Sequence, residues 1–197
     1  SACYPFYFSA LATVPGQEVV VKNNQVYNLN GAGTIYNYYL TSAKGVNFYH
    51  NTAAIDGGSG TTATYGFYTT LTTDSIRYVN NIMNITRNST GAKYGYYLNT
   101  TPANFYANYN DVYVSSASGT NAVGYISATP QLTLLDWQTA SFEDSNSVSV
   151  DPSFGSLLIP DLTPSAGPLN NSGANLQAIV NDDYNGVARP ITPDMGA

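Results

Sequence analysis

A short aromatic phrase recurs in this sequence at a fixed interval, and this repeat limits the possible folds more than any other feature. Its four copies are Asn37–Leu40, Gly66–Thr69, Gly95–Leu98 and Gly124–Ser127. The second residues of these copies are each 29 residues apart: Tyr38, Phe67, Tyr96 and Tyr125. A regular repeat of this length is typical of proteins that stack one supersecondary unit on the next.

A second phrase, in which two hydrophobic residues alternate with other residues before an asparagine, repeats in another part of the same unit. Its asparagines are 27, 30 and 27 residues apart: Asn24, Asn51, Asn81 and Asn108. Each unit holds two short stretches of β-type alternation and no helical periodicity. A propeller blade needs about 40 residues. The sequence therefore predicts an all-β, right-handed parallel β-helix of about four to six coils.

We predict that residues 1–149 form the coils, the first of them partial, and that residues 150–197 are a C-terminal capping segment of the same domain. The last coil of a solenoid exposes strand edges and core side chains, so a terminal segment must cover them. Leu132–Trp137 is interpreted as a fifth, imperfect strand. Asp183 and Arg189 either pair to hold the capping segment or are solvated charges.

Alternation along the strands assigns side chains to the two faces of the coil. Four aromatic residues are predicted to point inward: Tyr38, Phe67, Tyr96 and Tyr125. Their successors are predicted to point outward: Tyr39, Tyr68, Tyr97 and Ile126. In the other strand, we expect four core residues, Val21, Phe48, Tyr78 and Phe105, and four solvent-facing neighbours, Lys22, Tyr49, Val79 and Tyr106. Gly66, Gly95 and Gly124 are expected to relieve crowding where the strand bends.

Several phrases resemble the coils of right-handed parallel β-helices from secreted bacterial surface proteins and polysaccharide-active enzymes. They are Val21–Val26, Ile76–Ile82 and Tyr94–Leu98. The end of the chain resembles the terminal segment of the same family through Val150–Phe154, Leu162–Ala166, Asp183–Pro190 and Asp194–Ala197. Met195 stands where that family usually has Ile. The resemblance covers nearly the whole chain.

The resemblance implies that the repeated asparagines point inward at a turn and form a hydrogen-bonded ladder along the solenoid axis. This ladder would comprise Asn24, Asn51, Asn81 and Asn108. Asparagine suits this position, because its amide supplies both the donors and the acceptor that a buried turn needs. Asparagine is also frequent in ordinary turns, which is the simpler explanation of the same pattern.

The composition excludes several classes of function. Charged residues make up 9% of the chain and the net charge is −6, so no basic patch is expected to bind nucleic acid. His50 is the only histidine and Cys3 the only cysteine, which excludes metal sites built from clusters of these residues. No apolar run reaches the roughly 20 residues that span a bilayer, so membrane insertion is not expected. The chain starts at Ser1 without an initial Met or a basic-then-apolar leader, so it is either mature or excised from something larger. The repeat already under way at Tyr4–Phe8 and the abrupt end favour excision from a larger parent chain with further domains.

The acidic residues do not suggest a catalytic site. Lyases and hydrolases on β-helices need clustered carboxylates. The acids of the repeat region fall at different positions of the unit: Glu18, Asp56, Asp74 and Asp111. We therefore predict no catalytic residues, no metal and no cofactor. The alternative left open is a non-catalytic or truncated part of a polysaccharide lyase or glycoside hydrolase.

The outward tyrosines Tyr39, Tyr68 and Tyr97 are the predicted binding residues. Coils stack about 4.8 Å apart, so these rings should form an aromatic strip. Aromatic rings accept the apolar faces of sugars, although such a ladder could also serve only to stabilise the sheet. The sequence therefore predicts a non-enzymatic, adhesin-like or structural module, extracellular or on the cell surface. Its partner would be a polysaccharide or another cell-surface polymer.

Overall fold

Three strands per turn, rather than the predicted two, form the coils of this protein. The computed structural model describes residues 1–156 and 161–197, and these form one partial and four complete coils. All but one of the described strands pair in parallel with a counterpart one coil away. The predicted parallel β-helix is thus confirmed.

The strands fall into three sheets that run the length of the solenoid. Sheet 1 contains β3 (Val19–Lys22), β6 (Lys44–Tyr49), β9 (Asp74–Val79) and β12 (Ala103–Asn108). Sheet 2 contains β4 (Gln25–Val26), β7 (Thr52–Ile55), β10 (Ile82–Ile85) and β13 (Asp111–Val114). Sheet 3 contains β1 (Ala2–Cys3), β2 (Phe6–Ser9), β5 (Thr34–Thr41), β8 (Thr64–Thr70), β11 (Lys93–Leu98), β14 (Asn121–Ile126) and β15 (Thr129–Gln131). Among the strands that the structure describes, β15 alone pairs antiparallel, with β14.

A column of stacked aromatic rings fills the core behind sheet 3. Its members are Phe6, Tyr38, Phe67, Tyr96 and Trp137, with ring centroids 4.7–5.4 Å apart. The register places Gly124, not Tyr125, beside Tyr96. The prediction that Tyr125 points inward and Ile126 outward is therefore wrong. A shift of one residue exchanges the two faces of a strand, so Tyr125 stacks outside on Tyr97 and Ile126 is buried.

The three repeated glycines have two different roles. Gly66 and Gly95 lie at the bend of their strands, where a Cβ atom would lie within 2.7 Å of the neighbouring coil or of core side chains. Gly124 instead makes room for Trp137, because a Cβ atom there would lie 2.1 Å from the indole ring. In the last coil, the indole ring of Trp137, from the segment that follows, thus fills the space left by Gly124.

The buried turn between sheets 1 and 2 contains an asparagine ladder. The Nδ2 atoms of Asn24, Asn51 and Asn81 each donate to the side-chain oxygen of the next member, at 2.8, 2.9 and 3.0 Å. The fourth member is Asn110, so the prediction of Asn108 is wrong. Because Ala107 pairs with Tyr78, the position opposite Asn81 comes two residues later than the repeated phrase suggested. Asn108 accepts instead from the backbone N–H of Asn146, 2.8 Å away.

The same register corrects part of the expected core of sheet 1. Val21, Phe48 and Tyr78 are buried as predicted, and Ala107 continues their column. Phe105 also packs against the core, but it stands opposite Ile76 rather than Tyr78.

Replacing Asn81 by Ala should lower the free energy of unfolding by about 1–3 kcal/mol, because the substitution leaves buried polar groups of two coils without partners. Asn81 Nδ2 also donates to the backbone oxygen of Phe48, 3.0 Å away. Asn108→Ala is the matched control, since this asparagine lies outside the ladder. Urea denaturation of both variants measures the difference. A cost for Asn81→Ala no greater than that for Asn108→Ala would refute a stabilising ladder.

A short helix, not the predicted fifth strand, closes the end of the last coil. Helix α1 spans Leu134–Ser141 and begins with a capping box. In this box Thr133 accepts from the backbone of Asp136, whose carboxylate accepts from the backbone of Thr133. The helix buries Trp137 over the aromatic column. The end of the core is therefore covered by α1, and the expectation that residues 150–197 cover it is corrected.

The C-terminal segment instead runs along the outer faces of sheets 1 and 2. Val180 packs against Tyr49 and Val79, while Met195 and Leu169 pack against Ile82. The prediction that Tyr49 and Val79 face solvent is therefore wrong: they point out of the coil but are buried under this segment. Lys22 remains half-exposed, and Tyr106 is exposed.

Arg189 attaches the C-terminal segment to the first complete coil through neutral partners. Its guanidinium donates to Asn23 Oδ1 and to the Gly196 carbonyl, each 3.1 Å away. Asp183 accepts backbone N–H groups within its own turn, and the described contacts contain no ion pair between it and Arg189. Arg189 therefore holds the segment by hydrogen bonds: it is buried rather than solvated, and it is not paired with Asp183, so neither alternative offered by the sequence describes it.

Candidate binding surface

The outer face of sheet 3 carries two parallel columns of tyrosines, which together we call the tyrosine lattice. The first column comprises Tyr7, Tyr39, Tyr68, Tyr97 and Tyr125. The second comprises Tyr4, Tyr36, Tyr65 and Tyr94. All nine side chains are half-buried or exposed. The three predicted binding residues thus form the middle of the first column.

The spacing within each column is regular. In the first column the ring centroids are 4.3–5.1 Å apart, and neighbouring planes differ by at most 10°. In the second column they are 4.8–5.8 Å apart, with planes within 14° of parallel. The parallel strands impose this spacing, because neighbouring strands of a sheet lie about 4.8 Å apart.

The two columns meet edge to face. Tyr36 lies 5.2 Å from Tyr39 with its plane turned by 88°, and Tyr65 lies 5.0 Å from Tyr68 with a turn of 71°. Parallel stacking along a column combined with edge contacts across columns is a herringbone arrangement, which the quadrupole of aromatic rings favours. The faces of the inner rings are therefore occupied by other rings. The surface therefore presents ring edges and hydroxyl groups, not the open ring faces expected from the sequence.

The lattice is electrically neutral. The strands of sheet 3 contain a single charged residue, Lys93, whose side chain is buried and donates to backbone carbonyls such as that of Gly91. Partial burial raises the pKa of Tyr65 to about 12, and it also raises the pKa of Tyr39 and Tyr68. These hydroxyls therefore stay protonated at neutral pH and can both donate and accept hydrogen bonds.

Sequence reasoning missed six of the nine tyrosines, although a signal for four of them was present. The phrase Tyr-x-x-Tyr occurs at Tyr4, Tyr36, Tyr65 and Tyr94. Strict alternation would place residues three apart on opposite faces. The bend at Asn37, Gly66 and Gly95 turns two successive residues inward, so both tyrosines of each phrase point outward.

Outside the lattice, the described part of the chain shows a polar cleft but no cluster of metal ligands. It contains no group of three or more His, Cys, Asp or Glu residues arranged to hold a metal. A cleft of about 300 Å³ lies between the C-terminal segment and Gln25 of β4, and its lining includes Asp183, Arg189 and Asp194. The described hydrogen bonds of these three side chains are internal to the protein. No helix of this part of the chain is long and apolar enough to cross a membrane.

Comparison of the chain with protein-family models, with curated proteins and with solved structures gives no significant match. The geometry of the tyrosine lattice is therefore the main evidence on function.

Proposed function

We propose that this protein is a non-enzymatic, secreted or cell-surface module that binds an extended neutral glycan, or a similar surface polymer, along its tyrosine lattice. The observation that supports this proposal most strongly is the registered double column of nine accessible tyrosines on one uncharged face. A large aromatic surface that remains accessible on a soluble domain commonly marks a binding site.

The chemistry of the lattice suits sugars. Tyrosine hydroxyls donate and accept hydrogen bonds, as sugar hydroxyls do, and the ring edges between them offer apolar contact. An anionic polymer would find no cation here, because the single charged side chain of these strands is buried. The lattice therefore favours a neutral ligand.

The geometry also favours a long ligand over a short one. The hydroxyl-bearing rings repeat at about 5 Å along the axis, so a polymer lying parallel to the axis meets equivalent groups at every coil. Each hydrogen bond contributes about 0.5–1.5 kcal/mol net. Single contacts are weak, and several contacts along one chain provide avidity.

A structural role is the competing interpretation, and the same herringbone packing favours it. Stacked aromatic pairs stabilise neighbouring strands by about 0.5–1.5 kcal/mol each, whether or not a ligand binds. The hydroxyl groups distinguish the two roles, because stacking needs only the rings whereas the proposed binding needs the hydroxyls.

Changing Tyr39, Tyr68 and Tyr97 together to Phe should abolish most polymer binding while leaving the fold intact. Three lost hydrogen bonds of about 1 kcal/mol each correspond to a roughly 100-fold weaker affinity. Pull-down and titration with neutral polysaccharides, such as cellulose, chitin and mannan, measure the loss. The matched control is Tyr49→Phe, which removes a hydroxyl from a buried tyrosine on another sheet.

Two results would contradict the proposal. If the wild-type protein binds none of the neutral polymers, the lattice has a structural role only. If the triple Phe variant binds as tightly as the wild type, the hydroxyls do not recognise the ligand. Thermal melting of each variant verifies that the fold is unchanged.

A further inference from the structure

The single histidine of the chain lies buried between the coils and the C-terminal segment. His50 precedes the ladder residue Asn51, and its backbone is left-handed, with φ of 51°. The equivalent residues of the adjacent coils, Asn23 and Asn80, share this conformation, with φ of 56° and 60°. Asparagine and histidine adopt left-handed backbone more readily than most residues. The three side chains form a polar column beneath residues 173–197.

This column attaches the C-terminal segment to the coils. Asn23 Nδ2 donates to the Asp182 carbonyl, 2.8 Å away. Asn80 pairs with the backbone of Ala174 in both directions, since Nδ2 donates to its carbonyl and Oδ1 accepts from its N–H, each at 2.8 Å. His50 Nδ1 lies 3.0 Å from the Gly196 carbonyl.

The partners of His50 fix its protonation state. The Gly196 carbonyl can only accept, so Nδ1 must carry the proton. Nε2 lies 2.8 Å from Asn80 Nδ2, which can only donate. The amide of Asn80 cannot be reversed, because its two bonds to Ala174 set its orientation. The closed structure therefore requires the neutral imidazole with its proton on Nδ1.

Charges around the ring oppose a second proton. The guanidinium of Arg189 donates to the same Gly196 carbonyl, at 3.1 Å, and faces His50 from the C-terminal segment. The negative charges of Asp182, Asp183 and Asp194 favour the charged form of Arg189. Lys22 Nζ lies 4.0 Å from Asp182 Oδ1. None of the described hydrogen bonds of His50 involves a carboxylate. Burial, and then the charge of Arg189, lower the pKa of His50 to about 3.

We propose that His50 is an acid-sensitive clasp, so that protonation of its ring releases the C-terminal segment from the coils. A proton on Nε2 would point at the amide hydrogens of Asn80, and the new charge would lie beside Arg189. Release separates Val180 from Tyr49 and Val79, which exposes part of the apolar outer face of sheet 1.

The expected pH dependence follows from proton linkage. An exposed histidine has a pKa near 6.5, so the open form binds a proton at a higher pH than the closed form. Opening is therefore favoured as the pH falls below about 6.5. The ratio of closed to open molecules should fall about tenfold per pH unit, or about 100-fold by pH 4.5.

Amide hydrogen exchange between pH 4.5 and 7.5, corrected for the intrinsic exchange rate, measures this opening. The reporting amides are those of Ala174 and Gly196, which bond across to Asn80 Oδ1 and Asn80 O of the coils. We expect their protection to fall about 100-fold at pH 4.5 in the wild-type protein. The amide of Asp111, bonded to Asn81 O within the coils, should stay protected.

His50→Asn is the matched variant, because asparagine occupies this position in the coils before and after. Its reporting amides should keep the same protection across the pH range. If the wild-type and variant proteins lose protection equally, the clasp is refuted. Loss of protection in the coils and in the segment together would also refute it, since that pattern is global unfolding.

Nitrogen-15 NMR of the wild-type protein tests the clasp without any substitution. As the only histidine, His50 gives the only imidazole nitrogen signals. At pH 7.5 we expect the neutral tautomer with its proton on Nδ1. Below pH 6.5, the signals of the charged imidazole should appear only as the reporting amides lose their protection. A ring that carries its proton on Nε2, or that titrates near pH 6.5 while the segment stays protected, would overturn the proposal.

Discussion

Replacing Trp137 by Ala should lower the free energy of unfolding by about 3–5 kcal/mol, the range typical of a deleted core tryptophan. The indole ring is fully buried and stacks on Tyr96 at a centroid distance of 4.7 Å. Its Nε1 donates to Asp144, 2.8 Å away. The substitution therefore opens a cavity at the end of the aromatic column and removes a donor from a buried carboxyl group.

Urea denaturation of the full chain measures this loss, with two variants for comparison. Phe142→Ala removes a ring that is 91% exposed at the end of the same helix, and should be nearly neutral. Trp137→Phe keeps an aromatic ring on Tyr96 but removes the donor to Asp144, so its effect should be intermediate. If Trp137→Ala costs no more than Phe142→Ala, the helix does not seal the core.

The sequence predicted the middle coils well because their side chains repeat in register. Tyr38, Phe67 and Tyr96 lie in one inward column, and Asn24 and Asn51 lie in one ladder. Because similar side chains stack on one another from coil to coil, residues at a fixed interval in the sequence form a column in space. The resemblance to bacterial surface proteins remains a prediction.

The last coil departs from the predicted register because a neighbouring element supplies part of its core. Trp137 from α1 takes the place of an inward aromatic residue, so Gly124 rather than Tyr125 stands beside Tyr96. The 29-residue interval instead pairs Gly124 with Gly95, so the sequence assigned the residues of this strand to the wrong faces by one position. The capping box of Thr133 and Asp136 was a local signal for this helix.

The sequence pattern did not predict sheet 2, because both faces of this sheet are buried. Its strands β7 and β10 have no exposed residue, so they show no alternation of polar and apolar side chains. One face lies against the core and the other beneath the C-terminal segment, as Met83 and Ile82 illustrate. A sequence pattern cannot reveal that a distant segment covers a strand, and this also explains why Tyr49 and Val79 were assigned to solvent.

Asp111 should make the protein less stable as the pH rises, in contrast to the acid sensitivity of His50. Its carboxyl group is fully buried at the start of β13, where Oδ1 accepts from the backbone N–H of Val150 at 3.0 Å. Burial, only partly offset by this hydrogen bond, raises the pKa of Asp111 to about 8. The folded protein therefore holds a proton between about pH 4 and pH 8 that the unfolded chain has released.

The stability that this proton contributes is fully present below about pH 4, near the ordinary pKa of aspartate, and is lost as the pH rises to about 8. Asp111→Asn keeps the acceptor for Val150 and removes the charge, so it abolishes this dependence. Relative to the wild type, the variant should gain about 4 kcal/mol between pH 5 and pH 9, at about 1.4 kcal/mol per pKa unit. Urea denaturation at both pH values measures the change, with Asp56→Asn as a variant of equal net charge. A difference between wild type and Asp111→Asn that stays constant with pH would mean that Asp111 ionises in the folded protein as it does in the unfolded chain.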